Sequence, residues 1–168
     1  MRVTNTELRR QTFERAVKLL AAKPRSVAEL RERLLRRKGT TEAVVETVIS
    51  RLQEYGYLDD ERFAFSYASF KVKQRPLGRR RLARDLKLKK VASEVANEAL
   101  ETVYAETSEE QLIDRAIEKR LRLRGRPKNR IEAKSLFDHL LRQGFPFELV
   151  SDKVRALATD FTDDADVG

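Results

Sequence analysis

The sequence predicts an all-α protein made of three tandem three-helix repeats. The first observation is that the apolar pattern recurs around Gly39, Lys90 and Gly144, with aliphatic residues six, ten and thirteen positions after each. These anchors lie about 50 residues apart, a period typical of repeat proteins that stack supersecondary units. The second is that apolar residues recur at helical spacing, whereas no segment alternates at period two over strand length. Stacked helical units form an extended surface, which favours binding of other macromolecules.

The three triplets are predicted to share the same signals for where their helices end. Phe13, Val17 and Leu20 form the apolar stripe of the first helix. A proline after a basic residue follows the first helix of every triplet, and proline stops a helix because it lacks the amide hydrogen. The predicted helices cover residues 6–22, 26–38, 41–55, 60–74, 77–89, 91–105, 108–123, 131–143 and 146–158. The predicted domains are repeat 1 (6–58), repeat 2 (59–106), repeat 3 (107–158) and a disordered acidic tail (159–168).

Polar residues mark several helix starts. Ser26 and Glu29 have the spacing of a capping box, in which two side chains bond free amides at a helix start. Asp59 or Asp60 is expected to cap the fourth helix, and Glu61 to favour its dipole. A metal site is the alternative for these three acids. Neighbouring carboxylates at one helix start do not converge on an ion without partners, so capping is preferred.

Composition limits the class of protein. Hydrophobic residues make up 40% of the 168 residues and tryptophan is absent, so the core must be mainly leucine, valine and alanine. The absence of cysteine excludes disulfides and thiolate metal sites. No apolar run approaches the roughly 20 residues that span a bilayer, and charged residues interrupt any signal-peptide core near the N-terminus. We therefore expect a cytoplasmic protein without a membrane partner.

Charge is distributed in blocks. The net charge is +9, yet segment 71–90 holds ten Lys or Arg and one acid, and segment 119–130 holds seven and none. The intervening segment 91–118 holds eight acids and one base. Such alternation predicts one basic face on a body whose other faces are acidic.

Segment 71–90 carries the strongest chemical signal. Leu82 and Leu86 face one way on a helix whose remaining arc is basic. Lys and Arg neutralise phosphates or pair with a partner's carboxylates, whereas a merely solvated face is the alternative. Segment 119–130 fits a binding loop or an ordinary linker equally well. The candidate binding residues are Lys71, Lys73, Arg75, Arg79, Arg80, Arg81, Arg84, Lys87, Lys89, Lys90, Arg122, Arg124 and Arg126.

No catalytic constellation is readable in the sequence. His139 is the only histidine, and neither a nucleophile nor an orienting partner accompanies it, so we expect it to be structural or exposed. Glycine-rich nucleotide motifs are also absent. Tyr55, Tyr57 and Tyr67 could stack on bases, although Tyr67 lies on a core stripe. We predict a protein that is not an enzyme and has no catalytic, cofactor or metal site.

Several segments together resemble the RecX family of regulators of the RecA recombinase. Residues 55–64, YGYLDDERFA, are similar to the family's joint between the first and second repeats. Residues 26–30 and 78–86 resemble the second helices of those repeats. The resemblance covers about residues 13–158 and is weakest in the third repeat. One departure is that Lys89 or Lys90 replaces a glycine common after the second helix of repeat 2.

The resemblance implies an elongated, curved, all-helical body that lies in the groove of a RecA filament on single-stranded DNA. It implies a non-enzymatic regulator that restrains filament growth, ATP hydrolysis, strand exchange and co-protease activity, within homologous recombination, DNA repair and the SOS response. The candidate basic residues would then face the filament or DNA. The implied partners are RecA and, in a weak and salt-dependent way, single-stranded DNA, and we expect a monomer.

The alternative is a direct nucleic-acid-binding module in which the three-helix units act as helix-turn-helix readers. Sequence-specific readout is disfavoured because the basic segments contain few Asn or Gln residues that could read adenine edges.

Overall fold

The structure is a computed structural model that describes residues 4–158. Within this range the chain forms helices and short connections without a strand. The helices are α1 Asn5–Ala22, α2 Val27–Leu35, α3 Glu42–Glu54, α4 Asp60–Gln74, α5 Arg79–Leu88, α6 Ser93–Glu106, α7 Glu109–Arg124, α8 Arg130–Arg142 and α9 Phe147–Ala158. The all-α prediction is confirmed, and the nine predicted helices occur in order. The predicted tail, 159–168, lies outside the described residues.

One predicted boundary is wrong by three residues. The second helix was expected to reach residue 38, but α2 ends at Leu35. The Arg37 amide bonds the Leu34 carbonyl at 3.3 Å, so the chain tightens into a shorter turn before Gly39.

Packing divides the chain into two compact units. The first runs to Tyr67 and resumes over Leu86–Ala99, and the second comprises Ala68–Asp85 and the chain from Leu100 onward. Helices α4, α5 and α6 each contribute residues to both units. The boundaries of the three repeats stay a prediction.

The first unit is built around α1, α2 and α3. α3 packs against α1 and α2, and the side chains between them are almost wholly buried. This core consists of Ala16, Leu30, Leu34, Val45, Val48, Ile49, Leu52 and Leu58. Small and branched aliphatic residues fill it, as the absence of tryptophan predicts.

The start of α2 is held by three side chains. The predicted capping box is confirmed, because Ser26 and Glu29 bond each other's amides at 3.2 Å. Asp59 caps α4 through the Arg62 amide at 3.1 Å. Asp60 instead accepts the Val27 amide at 2.9 Å, so it caps α2 and not its own helix. The two adjacent acids therefore satisfy two different helix starts.

The turn after α5 retains the repeat pattern although it lacks glycine. Lys90 has a φ of +57°, beside +82° at Gly39 and +94° at Gly144. The Val91 amide bonds the Leu86 carbonyl at 3.1 Å, and the Phe145 amide bonds the Leu140 carbonyl at 3.4 Å. Bonds of this kind close the C-terminus of a helix that ends in a residue of left-handed conformation. Lys90 and Gly144 therefore share both the positive φ and this closing hydrogen bond. Gly39 lies beyond the end of α2 and shares only the positive φ, because the Thr40 amide there bonds the Arg37 carbonyl.

The second unit is built around α7, α8 and α9, with the beginning of α5 packed on the α8–α9 turn. The Gly78 amide bonds the Gln143 carbonyl at 2.9 Å, and the Arg80 amide bonds the Gly144 carbonyl at 3.2 Å. A side chain on Gly78 would overlap the Gly144 backbone. Glu109 accepts the Arg79 amide at 2.7 Å. The first turn of α5 is thus fixed by backbone contacts and by a carboxylate.

Candidate functional site

The basic face predicted on α5 is present. Leu82 and Leu86 are wholly buried, whereas the basic side chains of the opposite arc are exposed. We define the α5 basic row as Arg80, Arg81, Arg84 and Lys87. Their spacing of three and four residues places Arg80, Arg84 and Lys87 along one helix face.

Most of the row carries uncompensated charge. Arg81 forms an ion pair with Asp85 at 3.4 Å. Arg80, Arg84 and Lys87 have no side-chain partner among the residues that the structure describes. Guanidinium groups on the exposed face of a helix whose opposite face is buried can bond phosphate or carboxylate groups without rearrangement of the core.

Two other candidate residues are held by contacts within the first unit. The Lys89 side chain is only 19% exposed, its ammonium bonds Glu29 at 3.0 Å, and it lies 5.2 Å from the centre of the Tyr67 ring. Its carbonyl accepts the Ser26 hydroxyl at 2.6 Å. Lys90 pairs with Glu32. These two lysines serve the packing of α2, and Lys89 has little charge left for a partner.

The remaining candidates differ in their surroundings. Arg79 is half-buried with its guanidinium 3.8 Å from Glu101, and Arg122 pairs with Glu118 at 3.5 Å. Lys71 and Arg126 also have interactions. Lys73, Arg75 and Arg124 are exposed. The thirteen predicted residues are therefore not one uniform surface, and the α5 basic row is the part of the set in which three exposed cations without a partner in the described range lie along one helix face.

The structure groups Arg75, one of the predicted residues, with further cations around a cleft that the sequence did not predict. We define the α7–α8 cleft as a cavity of about 260 Å³ in the second unit, with apolar walls from Pro76, Ala116 and Leu123. Its polar lining residues are Arg75, Lys119, Arg120, His139 and Gln143. These residues come from three segments of the chain. Residues 116, 119, 120 and 123 have helical spacing, so the sequence could predict that they share one face of α7. The residues from the other two segments have no such relation to them in the sequence.

The one histidine of the sequence, His139, lies at this cleft. It is half-buried and lines the cleft, and its pKa is lowered below the usual value, first by burial and then by Arg120, Arg142 and Arg124. The pKa of Arg120 is lowered for the same reasons, burial first and then Arg124 and Arg142. The cleft is thus a place where positive charges repel one another.

The tyrosines of the joint segment form an exposed aromatic cluster in the first unit. The Arg51 guanidinium lies 5.6 Å from the Phe13 ring centre and 5.5 Å from that of Tyr55. Tyr55 and Tyr57 meet edge to face at 6.1 Å and are more than half exposed. Tyr67 stacks on Phe63. Arg51 therefore already occupies ring faces of this cluster.

Neither a metal site nor a membrane span is found within residues 4–158. No three His, Asp or Glu side chains in that range lie close enough together to hold a metal ion. None of its helices combines the length and apolar character needed to cross a membrane.

Comparison with known proteins identifies the family. Residues 13–52 match the family model described as RecX, first three-helix domain, and residues 59–100 match the second. The chain is 33% identical to "Regulatory protein RecX" of Amycolatopsis mediterranei over 88% of this chain and 86% of that protein. It is 30% identical to the Bacillus licheniformis protein of the same name over 90% of this chain, and the match spans 56% of that longer protein.

A solved structure has the same fold. The crystal structure of RecX from Lactobacillus salivarius superposes with a TM-score of 0.78 at 18% identity, covering 90% of this chain and 97% of that one. The two family models occupy the first two predicted helix triplets in the expected order. The chain belongs to the RecX family.

Proposed function

We propose that this protein is a non-enzymatic regulator of the RecA recombinase. It binds in the groove of the RecA filament on single-stranded DNA and restrains filament growth, ATP hydrolysis, strand exchange and co-protease activity. Its relatives' name, regulatory protein RecX, supports the regulatory role. The observation that carries the proposal is the α5 basic row, a line of exposed and largely unpaired cations on a fixed helix.

The α5 basic row is suited to docking because the helix beneath it is fixed. Leu82 and Leu86 are completely buried, and Gly78 and Arg80 bond the main chain of the α8–α9 turn. Cations on such a helix lose little backbone freedom when they bind, so more of the electrostatic gain appears as affinity. Complementary charge also speeds the encounter with an acidic surface or with nucleic acid.

The direct test measures RecA ATP hydrolysis on single-stranded DNA with and without this protein. We expect hydrolysis to fall as the protein is added, because a protein seated in the groove would hinder filament growth. RecA-dependent hydrolysis that is unchanged at protein concentrations equal to RecA would overturn the proposal.

The second candidate function is a direct nucleic-acid-binding module. The observation that favours it is the α7–α8 cleft, whose charged lining residues are all cations. A strong preference for one duplex among DNA molecules of many sequences would favour a helix-turn-helix reader. Loose binding that weakens steeply with salt and has little sequence preference is what we expect, because phosphate contacts dominate.

A further inference from the structure

We propose that the α7–α8 cleft binds a phosphodiester group of a single-stranded nucleic acid, with His139 as a proton-linked contact. This inference deepens the proposed function by assigning the nucleic-acid contact to a particular place, and its test contains no RecA. The assignment of the cleft and the proposed regulation of RecA are therefore tested independently, and either one can be contradicted without the other.

The cleft collects cations from three segments of the second unit. Lys119 and Arg120 project from one face of α7, His139 lies on α8, and Arg75 directly follows α4. The volume of about 260 Å³ is below the range of about 300–1,000 Å³ that holds drug-sized ligands, so a group of phosphate size fits better. Arg, Lys and protonated His all donate hydrogen bonds to phosphate oxygens.

The charge of the cleft is unbalanced in the free protein. Its charged lining residues are all basic, and Arg124 and Arg142 add positive potential at His139. The acids of α8 that lie nearest in sequence are engaged elsewhere. Glu132 accepts the Lys128 amide at 2.8 Å, and Asp138 pairs with Lys134 at 2.6 Å. A bound anion would relieve the repulsion that the folded chain leaves in place.

The apolar walls favour a nucleotide chain over an isolated phosphate ion. Leu123 is 75% exposed at the cleft, and Pro76 lines the same cavity. A sugar attached to the phosphate would cover this apolar surface, which inorganic phosphate would leave in water. Phosphate contacts of this kind carry no sequence information, so binding is expected to be indifferent to base sequence.

His139 gives the site a pH dependence of known sign. Burial first, and then Arg120 of α7, Arg142 of α8 and Arg124 of α7, lower the pKa of His139 and so disfavour its protonated form. The other cations that line the cleft are Arg75 and Lys119. A phosphate group favours the protonated ring, so binding must raise the His139 pKa and take up protons. Affinity is then highest at low pH and falls as pH rises through the pKa of the bound form, whereas the phosphodiester charge stays constant.

The test uses the untagged chain, because His139 is then its only histidine and the proton on its Cε1 gives one assignable NMR signal. A labelled oligo-deoxythymidine is titrated while this signal and fluorescence anisotropy are followed at pH 5.5 to 8. We expect the His139 pKa to rise on binding and the affinity for the oligonucleotide to decrease as pH increases. The His139→Gln variant should bind with an affinity that does not depend on pH. Oligonucleotide binding that leaves the His139 signal and pKa unchanged would overturn the proposal.

Variants locate the phosphate-binding residues. Lys119→Gln with Arg120→Gln should weaken oligonucleotide binding at least about fivefold and lower the salt slope by about 0.7 for every phosphate that the variant no longer neutralises. Arg9→Gln with Lys18→Gln, exposed on α1, removes the same charge elsewhere and should change affinity less than about twofold. Equal weakening by both pairs would overturn the proposal. If the first pair unfolds the chain, the exposed Lys119→Gln alone replaces it.

Two other anions separate the possible sources. Inorganic phosphate and poly-glutamate are titrated against the same His139 signal. We expect each to shift it far less than the oligonucleotide at equal anion concentration. An equal shift with inorganic phosphate would indicate a free-phosphate site, and an equal shift with poly-glutamate would indicate an acidic protein partner. Either result would overturn the phosphodiester assignment.

Discussion

Lys90 shows how a single residue can keep a turn that glycine usually makes. It adopts a φ of +57°, and the two hydrogen bonds that close α5 are still formed, from its own amide to Lys87 and from Val91 to Leu86. A left-handed conformation costs a residue with a Cβ roughly 1–2 kcal/mol. The ion pair with Glu32 is exposed and offsets little of this cost.

Lys90→Gly is therefore expected to stabilise the fold by about 0.5–1 kcal/mol, after allowance for the added freedom of the unfolded chain. Lys90→Val should destabilise it, because a β-branched residue is the least tolerant of a positive φ. Denaturant unfolding measures both, and Glu32→Gln isolates the contribution of the ion pair. A glycine variant less stable than the valine variant would contradict this view of the turn.

His139 is expected to make the free energy of unfolding depend on pH. Burial and neighbouring arginines hold its pKa in the folded state below the usual value, so the unfolded chain binds a proton first. The free energy of unfolding should consequently decrease as pH falls below about 6.5. Unfolding measured at pH 7.5 and 5.5 should show a smaller decrease for His139→Gln than for the parent. An equal decrease in both would show that His139 titrates normally in the folded protein.

At the scale of helices, α5 combines a buried and an exposed arc on one short segment. Leu86 is wholly buried, whereas Leu88, two residues later, is 81% exposed. Leu86→Ala should lower the free energy of unfolding by about 2–5 kcal/mol, because it empties a core site. The matched control Leu88→Ala should change it by less than about 0.5 kcal/mol. A midpoint of urea unfolding that Leu86→Ala leaves unchanged would show that the leucine is not part of the core.

The helices could be predicted because their signals are local. Apolar spacing, prolines and the Ser26–Glu29 capping box all act within a few residues, and the structure confirms the nine segments in its described range. Contacts between distant residues left no such signal. Two examples are the hydrogen bond between Asp60 and the Val27 amide and the close approach of Gly78 to Gly144. Both contacts depend on how the helices pack, so the sequence did not predict these partners.

The candidate site shows the same division between local and distant information. The α5 basic row lies on one helix, and its exposed arc followed from spacing alone. Lys89, in contrast, is held by contacts with Glu29 and Tyr67. These residues lie far from it in the sequence, so its burial could not be predicted from spacing. The α7–α8 cleft joins Arg75, Arg120 and His139, and no pattern in the sequence brings these three together.

For the whole molecule, we propose that the α5 basic row acts jointly on a RecA filament. Reversal of one exposed charge should cost under about 1 kcal/mol of binding, because single surface pairs contribute little. Reversal of Arg80, Arg81, Arg84 and Lys87 together turns a row of attractive contacts into a row of repulsions. All four side chains are exposed, so this variant should fold with a melting temperature close to the parent's.

The most direct test is RecA ATP hydrolysis on single-stranded DNA in the presence of this fourfold Glu variant. A matched control reverses Arg9, Lys18, Arg33 and Lys38, four exposed charges outside the α5 basic row. Circular dichroism and thermal unfolding first establish that both variants are folded. We predict that the fourfold α5 variant loses the restraint of hydrolysis while the control retains most of it. A folded α5 variant that restrains RecA as well as the parent protein does would contradict the proposed role of the α5 basic row.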